Sequence, residues 1–299
     1  MVLRHRECLK LILILASCIW LVIATDPAAL AAETAVHPVT GSSAGPCKET
    51  SMPLALREAF RLVCAREPIV LANRGERNVI IVGFVGGFVK RDDLKHPEVL
   101  FARYLSGRYG PAVQTTVFPN HEGKQAVHDI LQLLDRDHDG SLTAAEKQRA
   151  EIIVFGHSWG GSQAVTVAEK LGQQGIPVAL TIQIDSVRKP GQHDRTIPVS
   201  VAKAVNFYER QGLTPGEPNI VAADPTRTKI LGNFHLKYHD HPINCDNYKW
   251  LPRMLNKPHH EIENDPRVWN KIASLIDSEL EGRSSDVQAV SNPGLSSDE

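Results

Sequence analysis

One stretch, Glu151-Ile-Ile-Val-Phe-Gly156-His157-Ser158-Trp159-Gly160-Gly161, is the strongest structural signal in the chain. Its first half is a β-branched apolar run, which predicts a strand buried on both faces. Its second half places a glycine two residues to either side of Ser158, and a helix is predicted from Gly160 to about Leu171. A serine between such a strand and helix lies on a tight, strained turn, where glycine avoids the collisions of a Cβ atom.

This turn also has a chemical use. It exposes the Oγ atom of Ser158 above the sheet, and the backbone N–H of Trp159 at the start of the helix can face a developing negative charge. A serine hydroxyl is a weak nucleophile until an imidazole, itself oriented by a carboxylate, activates it. The sequence therefore predicts that Ser158 is a nucleophile, with a histidine and an acid elsewhere in the chain.

Strands and helices alternate around this stretch. Strands are predicted at Asn78–Gly83, Val113–Phe118 and Val178–Ile184, and more weakly at Ala204–Tyr208 and Ile220–Ala223. Helices are predicted at Pro97–Arg108, around Val127 to Leu134 and, as a closing amphipathic helix, around Val268 to Leu280. This alternation predicts an α/β fold with a mostly parallel sheet that is flanked by helices on both faces.

A glycine-rich segment, Gly83-Phe84-Val85-Gly86-Gly87-Phe88, follows the first predicted strand. A loop in this position supplies a second backbone donor to an oxyanion, and we predict that the donor is the N–H of Phe84, beside that of Trp159. With the serine turn, this segment resembles the α/β-hydrolase superfamily, in its lipase- and esterase-like branch, over roughly residues 77 to 280. The usual His-Gly before the loop is Val82-Gly83 here.

The resemblance implies a catalytic triad in the chain order serine, acid, histidine. Similar hydrolases place the histidine before the last helix, which favours His259 in Pro258-His259-His260-Glu261-Ile262 and leaves His260 as the alternative. Asp185 ends a predicted strand at the sheet edge where sites form, and it is the favoured acid. Asp224 is the alternative acid. Three further aspartates remain open for this role: Asp194, Asp240 and Asp246.

The activity implied by the resemblance is hydrolysis of a carboxylic ester, with a small-molecule or lipid ester as substrate. The same triad would serve a thioesterase, an amidase or a peptidase. A non-catalytic binding protein with the α/β-hydrolase fold is the alternative from another class. The sequence does not indicate the acyl specificity or the oligomeric state.

A second motif, residues 135–146, has the D-x-D-x-D-G pattern of an EF-hand calcium loop over all twelve positions. Oxygen ligands suit the hard Ca²⁺ ion, and extracellular calcium fills even weak sites. We therefore predict a structural Ca²⁺ site with a short exiting helix. The predicted ligands are Asp135, Asp137, Asp139, Ser141 through its carbonyl, Thr143 directly or through water, and Glu146. An acidic loop without a metal is the alternative.

The N-terminus predicts export. A basic start, an apolar run from Leu11 to Ala24 and the sequence Ala29-Leu30-Ala31 predict a signal peptide over 1–31, although an uncleaved anchor or a lipoprotein remains open. A linker is predicted over 32–53, the hydrolase domain over 54–281 with a lid or specificity region at 186–258, and a disordered tail over 282–299. The location is then secreted or periplasmic, with membrane contact only through the signal segment or at a lipid interface.

Cysteine and charge counts add two further limits. An exported chain would keep Cys47, Cys64 and Cys245, and Cys47–Cys64 closes the shortest loop, so we predict that disulfide. The 33 basic and 34 acidic residues give a net charge of −1, which argues against a nucleic-acid partner. The 13 histidines are numerous, and the group of His235, His239 and His241 is a weak candidate metal site.

Overall fold

The structure, a computed structural model, describes Cys47, residues 52–67, Ile69, residues 77–250, Met254 and residues 256–291, with side chains to residue 281. The predicted signal peptide and nearly all of the predicted linker lie outside the described residues. Within them, no helix is both long and apolar enough to cross a lipid bilayer.

The centre of the fold is a six-stranded parallel sheet with the strand order β2-β1-β3-β4-β6-β8. Its strands are β1 (Asn78–Val85), β2 (Val113–Pro119), β3 (Ala150–His157), β4 (Val178–Ile184), β6 (Val201–Tyr208) and β8 (Lys229–His235). Two short strands, β5 (Thr196–Ile197) and β7 (Val221–Ala222), pair separately. The predicted fold class, a mostly parallel sheet in an α/β fold, is confirmed.

Helices cover both faces of the sheet. They are α1 (Leu54–Cys64), α2 (Pro97–Tyr109), α3 (Gly123–Leu134), α4 (Ala144–Gln148), α5 (Trp159–Gln173), α6 (Lys257–Glu263) and α7 (Pro266–Ser291), with a 3₁₀ turn at Gly110–Ala112. One apolar cluster joins the sheet to α1, α2 and α7, and the other joins it to α3 and α5. The predicted helices therefore form the two outer layers.

Alternation along the buried strands explains this arrangement. In β3, Ile153 and Phe155 enter the first cluster, whereas Ile152 and Val154 enter the second. Successive side chains of a strand point to opposite faces, so a strand covered on both sides reads as a continuous apolar run. This is why the run before Ser158 is apolar throughout.

The strand pattern differs from the sequence prediction at its weaker end. β6 begins at Val201, three residues before the predicted strand, and β7 pairs with β5 outside the main sheet. β8 was not predicted, because it lies at the sheet edge and Gly232 and Asn233 interrupt its apolar residues. Its register also shifts between Ala204 and Val205 of β6.

The cysteines and the last helix can be compared with the sequence predictions. Cys47 and Cys64 form a disulfide with a Cα–Cα distance of 5.3 Å, which confirms the predicted pairing, and Cys245 is free and buried. α7 continues to Ser291, ten residues into the predicted tail. No proline or glycine interrupts residues 283–291, and the next helix breaker is Pro293.

Candidate active site

Ser158 lies on a strained turn between β3 and α5. Its backbone angles are φ 56° and ψ −125°, in a region that residues other than glycine rarely adopt. The turn brings α5 close to β1, because a Cβ atom at Gly160 would lie 2.1 Å from the carbonyl oxygen of Phe84. The N–H of Ser158 donates to the carbonyl of Ile184 at 3.0 Å and ties the turn to β4. The predicted serine turn is thus present in the structure.

Asp185 and His259 meet at the carboxyl edge of the sheet. Oδ2 of Asp185 lies 2.6 Å from Nδ1 of His259, and both side chains are buried. The other carboxylate oxygen accepts the N–H groups of Glu209 at 2.9 Å and Gly216 at 3.1 Å. A carboxylate held in this way can only accept from the imidazole, so Nδ1 carries the proton and Nε2 is left with a lone pair.

His259 lies in a short helix that precedes the last helix of the chain's described part. Pro258 occupies the first turn of α6, a position that proline favours, and the helix continues to Glu263. In this helix His259 faces Asp185, whereas His260 stacks on Tyr248 with ring centroids 4.0 Å apart. The structure therefore brings His259, and not His260, to the acid.

The alternative acid lies elsewhere. Asp224 follows β7, and its carboxylate accepts the N–H of Thr226 at 2.9 Å and its hydroxyl at 2.7 Å. These hydrogen bonds lower the pKa of Asp224 and close a local turn. Asp185 is the aspartate that the structure pairs with His259.

The glycine-rich segment places different residues at the site from those predicted. Phe84 lies inside β1, paired with Phe118 on one side and Gly156 on the other, and its side chain is fully buried. Strand β1 continues to Val85, because its apolar residues remain covered on both faces. The loop begins at Gly86, where a Cβ atom would lie 3.0 Å from Cβ of Ser158.

A cavity of about 610 Å³ lies beside the serine turn and the glycine-rich loop. Ser158 and His259 line it, together with the Gly86–Phe88 loop and Trp159. Phe88 packs edge-on against Trp159 with ring centroids 5.6 Å apart and is almost fully exposed. The cavity therefore has an aromatic rim on the side of the glycine-rich loop.

A cluster of histidines and carboxylates forms another part of the cavity wall. Nδ1 of His157 lies 3.4 Å from Oε1 of Glu98 and 3.4 Å from Oε2 of Glu263. Nδ1 of His96 lies 3.1 Å from Oε1 of Glu263, and the Tyr248 hydroxyl donates to Oε2 of Glu263. We call these five residues the His–Glu cluster. The sequence does not reveal the His–Glu cluster, because the residues of the cluster come from separate elements without a common spacing.

Burial and neighbouring charges shift the pKa values of the two glutamates in this cluster. Burial, and then the charge of Glu263, raise the pKa of Glu98 to about 7. Burial opposes ionisation of Glu263 too, but three neighbouring histidines, first His157 and then His260 and His96, outweigh it and hold the pKa of Glu263 well below the usual range. The two carboxyl groups therefore have opposite shifts within one buried site.

The calcium-loop pattern folds as a compact turn between α3 and β3. One carboxylate oxygen from each of Asp135, Asp137 and Glu146 lies within 4.8 Å of the others. Gly140 has φ 83°, and its N–H donates to Oδ2 of Asp135 at 3.0 Å. Asp139 instead accepts the N–H of Ser141 at 2.7 Å.

The same loop ends in the short helix that the sequence predicts. Thr143 and Glu146 form a reciprocal cap at the start of α4, in which Oε2 of Glu146 accepts the N–H of Thr143 at 2.9 Å. Helix α4 is five residues long, and β3 begins two residues after it. Oδ1 of Asp135 is buried and accepts no hydrogen bond, and this orphaned oxygen fits a cation ligand.

The histidine group predicted as a weak metal site is dispersed. His235 ends β8 and stacks on Tyr208 with ring centroids 4.8 Å apart. Nδ1 of His239 lies 2.9 Å from Asp240, and both side chains are exposed. Within the described part of the chain, His235, His239 and His241 do not bring three ligand atoms together.

Comparison with known proteins adds structural neighbours. No protein-family model matches the sequence, and no curated protein does. A crystal structure of a mutant of the esterase rPPE is similar over 40% of this chain and 38% of its own length, with 21% identity and a TM-score of 0.28. A putative hydrolase of the α/β superfamily from Xanthomonas campestris pv. campestris is similar over 66% of this chain and 99% of its own, with 11% identity and a TM-score of 0.30.

Proposed function

We propose that this protein is an exported serine hydrolase that cleaves carboxylic esters with Ser158, His259 and Asp185. The observation that carries the proposal is the 2.6 Å contact between Asp185 and His259 beside the cavity that Ser158 lines. A buried acid–imidazole pair next to a serine on a strained turn is the arrangement that nucleophilic acyl transfer requires.

Each of the three residues has a role in the proposed reaction. Nε2 of His259 takes the proton as Oγ of Ser158 attacks the ester carbonyl, and the tetrahedral intermediate then expels the alcohol, which His259 protonates. In the second half of the reaction, water attacks the acyl-enzyme and gives its proton to His259. The bond from the acyl carbon to Oγ of Ser158 then breaks, the carboxylic acid leaves, and His259 returns the proton to Oγ. Asp185 orients the imidazole and stabilises its charged form.

Two backbone donors would stabilise the oxyanion. The N–H of Trp159 lies at the first residue of α5, where free N–H groups and the helix dipole favour negative charge. For the second donor we propose an N–H of the Gly86–Phe88 loop in place of Phe84, because this loop lines the cavity and Phe84 lies within the paired strand. The proposal predicts that activity depends on the close approach of Gly86 to Ser158.

An apolar rim favours a poorly water-soluble ester. Phe88, Leu213 and Trp250 are each more than half exposed. Phe88 lines the cavity itself, and Leu213 and Trp250 adjoin the lining residues Thr214 and Lys249. Exposed apolar side chains around a cavity mark a surface that binds apolar ligands.

A panel of nitrophenyl esters of increasing acyl length, with matched thioesters and anilides, tests the reaction. We expect ester hydrolysis by the wild type, loss of that hydrolysis in Ser158→Ala, and its retention in Ser162→Ala. Ser162 is the matched control, because it lies one helical turn away. Its hydroxyl is within hydrogen-bonding distance of the Trp159 carbonyl and of Oε1 of Gln192. A folded wild type that cleaves only anilides or nothing would reject the esterase assignment.

We further propose that the 135–146 loop binds Ca²⁺ as a structural ion. Asp135, Asp137 and Glu146 already converge, and Asp139, Ser141 and Thr143 complete the oxygen ligands from the pattern. Bound calcium would neutralise these carboxylates and fix the entry to β3. Leu142 packs against the same apolar cluster as Ile152 and Val154, so the loop is anchored to that strand.

A further inference from the structure

The His–Glu cluster contains a carboxylate that lacks a hydrogen bond, although Nδ1 of His157 lies 3.4 Å from it. Glu98 is fully buried, and neither of its oxygens accepts a hydrogen bond. Nδ1 of His260, 4.0 Å from Oε2 of Glu263, is likewise buried without a hydrogen bond. Burying an unpaired carboxylate beside a second carboxylate is costly unless a cation or proton compensates both. The cluster therefore has a place for a positive charge.

The distances suit ligands of one metal ion. Zinc binds histidine nitrogen and carboxylate oxygen at about 2.0–2.2 Å, so two ligands of one ion lie at most about 4.4 Å apart. The separations of 3.1 Å between His96 and Glu263, and of 3.4 Å from His157 to each glutamate, lie within this limit. One ligand atom each from His96, Glu98 and Glu263 lies within 4.8 Å of the others, a bound slightly above this limit, so these side chains would have to move closer together around an ion.

The hydrogen bond of His157 to a backbone carbonyl uses Nε2, so Nδ1 is the nitrogen that could bind a metal ion. Nε2 of His157 lies 3.2 Å from the backbone carbonyl of His259, and a carbonyl can only accept, so the proton is on Nε2. Nδ1 faces Glu98 and Glu263 at 3.4 Å, so a metal ion bound there would replace the proton of this nitrogen. Metal-bound histidines commonly donate their other N–H to a carbonyl in this way.

We propose that His96, Glu98, His157 and Glu263 bind a divalent metal ion of the zinc class in the wall of the active-site cavity. Two carboxylates balance the charge of the ion, and the imidazole nitrogens favour zinc or cobalt over calcium and magnesium. Through His157, the ion would hold the backbone of His259 in place. The proposal does not depend on ester hydrolysis.

Cobalt binding by the full chain tests this site directly. The purified protein is treated with phenanthroline, dialysed and titrated with Co²⁺ in excess Ca²⁺, which occupies the oxygen-rich loop. We expect about one Co²⁺ per chain, with the visible absorption of a four-coordinate ion. Glu98→Gln should weaken binding at least about tenfold, whereas Asp129→Asn, which changes a buried carboxylate outside the cluster, should not.

Two results would overturn the proposal. One is a folded wild type that takes up no Co²⁺ or Zn²⁺, which would mean that a shared proton compensates the two glutamates. The other is Glu98→Gln binding as tightly as the wild type. If Glu98→Gln does not fold, His96→Ala provides the same test, because His96 is partly exposed and its removal empties little of the core.

Discussion

The two ends of β3 carry the two chemical motifs of this chain, and they are built differently. At its start, the calcium-loop pattern is twelve consecutive residues whose hydrogen bonds join close neighbours in sequence. At its end, Ser158 lines the same cavity as His259, whose partner Asp185 is 74 residues away in sequence. A local motif can form wherever its loop forms, whereas the active site exists only when the whole sheet is assembled.

Substitutions in the two motifs should therefore have different effects on turnover and on stability. Changes to the side chains of Ser158, Asp185 or His259 should abolish turnover and leave the folded state nearly as stable, because these side chains contribute chemistry. Changes in the loop should lower stability and leave the rate at low temperature nearly unchanged. Measuring both quantities for each variant tests the comparison.

The largest expected effect is that of Asp185→Asn. The amide would favour the wrong histidine tautomer, and kcat for an ester should fall by about 10⁴-fold with a small change in Tm. Asp224→Asn is the matched control and should retain full activity. Equal losses in both variants would contradict the assignment of the acid.

Gly160→Ala should destabilise the fold at the serine turn. A Cβ atom at this position would meet the carbonyl oxygen of Phe84 at 2.1 Å, so we expect a loss of about 1–3 kcal/mol in the free energy of unfolding by urea. Gly107→Ala in α2 is the control, because a Cβ atom there meets nothing within 4 Å. A fully stable Gly160→Ala would show that the close approach of α5 to β1 is unnecessary.

Calcium should stabilise the wild type by about 0.4–1.4 kcal/mol at about 1 mM, if the dissociation constant lies at about 10⁻³–10⁻⁴ M. Glu146→Gln should abolish this shift in Tm, and Glu169→Gln, which removes an exposed carboxylate of α5, should keep it. If the Tm of the wild type were the same with calcium and with a chelator, the calcium proposal would be refuted.

The smallest expected effect concerns Glu209. Burial and the charge of Asp185 raise the pKa of Glu209 in the folded state, so its contribution to stability is present below its unfolded pKa and is lost as pH rises through the folded pKa. The Tm of Glu209→Gln relative to wild type should therefore be higher at pH 8 than at pH 4.5. A difference that stays constant with pH would argue against the shift.

The sequence predicts those parts of the molecule whose signals are local or continuous. Buried strands such as β1 and β3 are visible as apolar runs, and Ser158 and the 135–146 loop are visible from their spacing. Asp185 was predicted because it ends a strong strand. The choice between His259 and His260 depended on their helical phase in α6, which the adjacent histidines do not show.

The remainder required the assembled fold. β8 is a polar edge strand with weak alternation, and Phe84 lies in β1 because that strand extends two residues beyond its predicted end. His96 and Glu263 are 167 residues apart and meet only after α2 and α6 pack at the same cavity. No spacing rule relates such residues, so several of the numerous histidines acquired a candidate role only in the structure.

Covalent labelling of the intact protein with a fluorophosphonate, followed by peptide mass spectrometry, tests the central claim most directly. The account predicts one adduct per chain on Ser158, absent in Ser158→Ala and retained in Ser162→Ala. It also predicts slow labelling of Asp185→Asn, because the serine is then poorly activated. Absence of an adduct on the folded wild type, or an adduct on another serine, would contradict it.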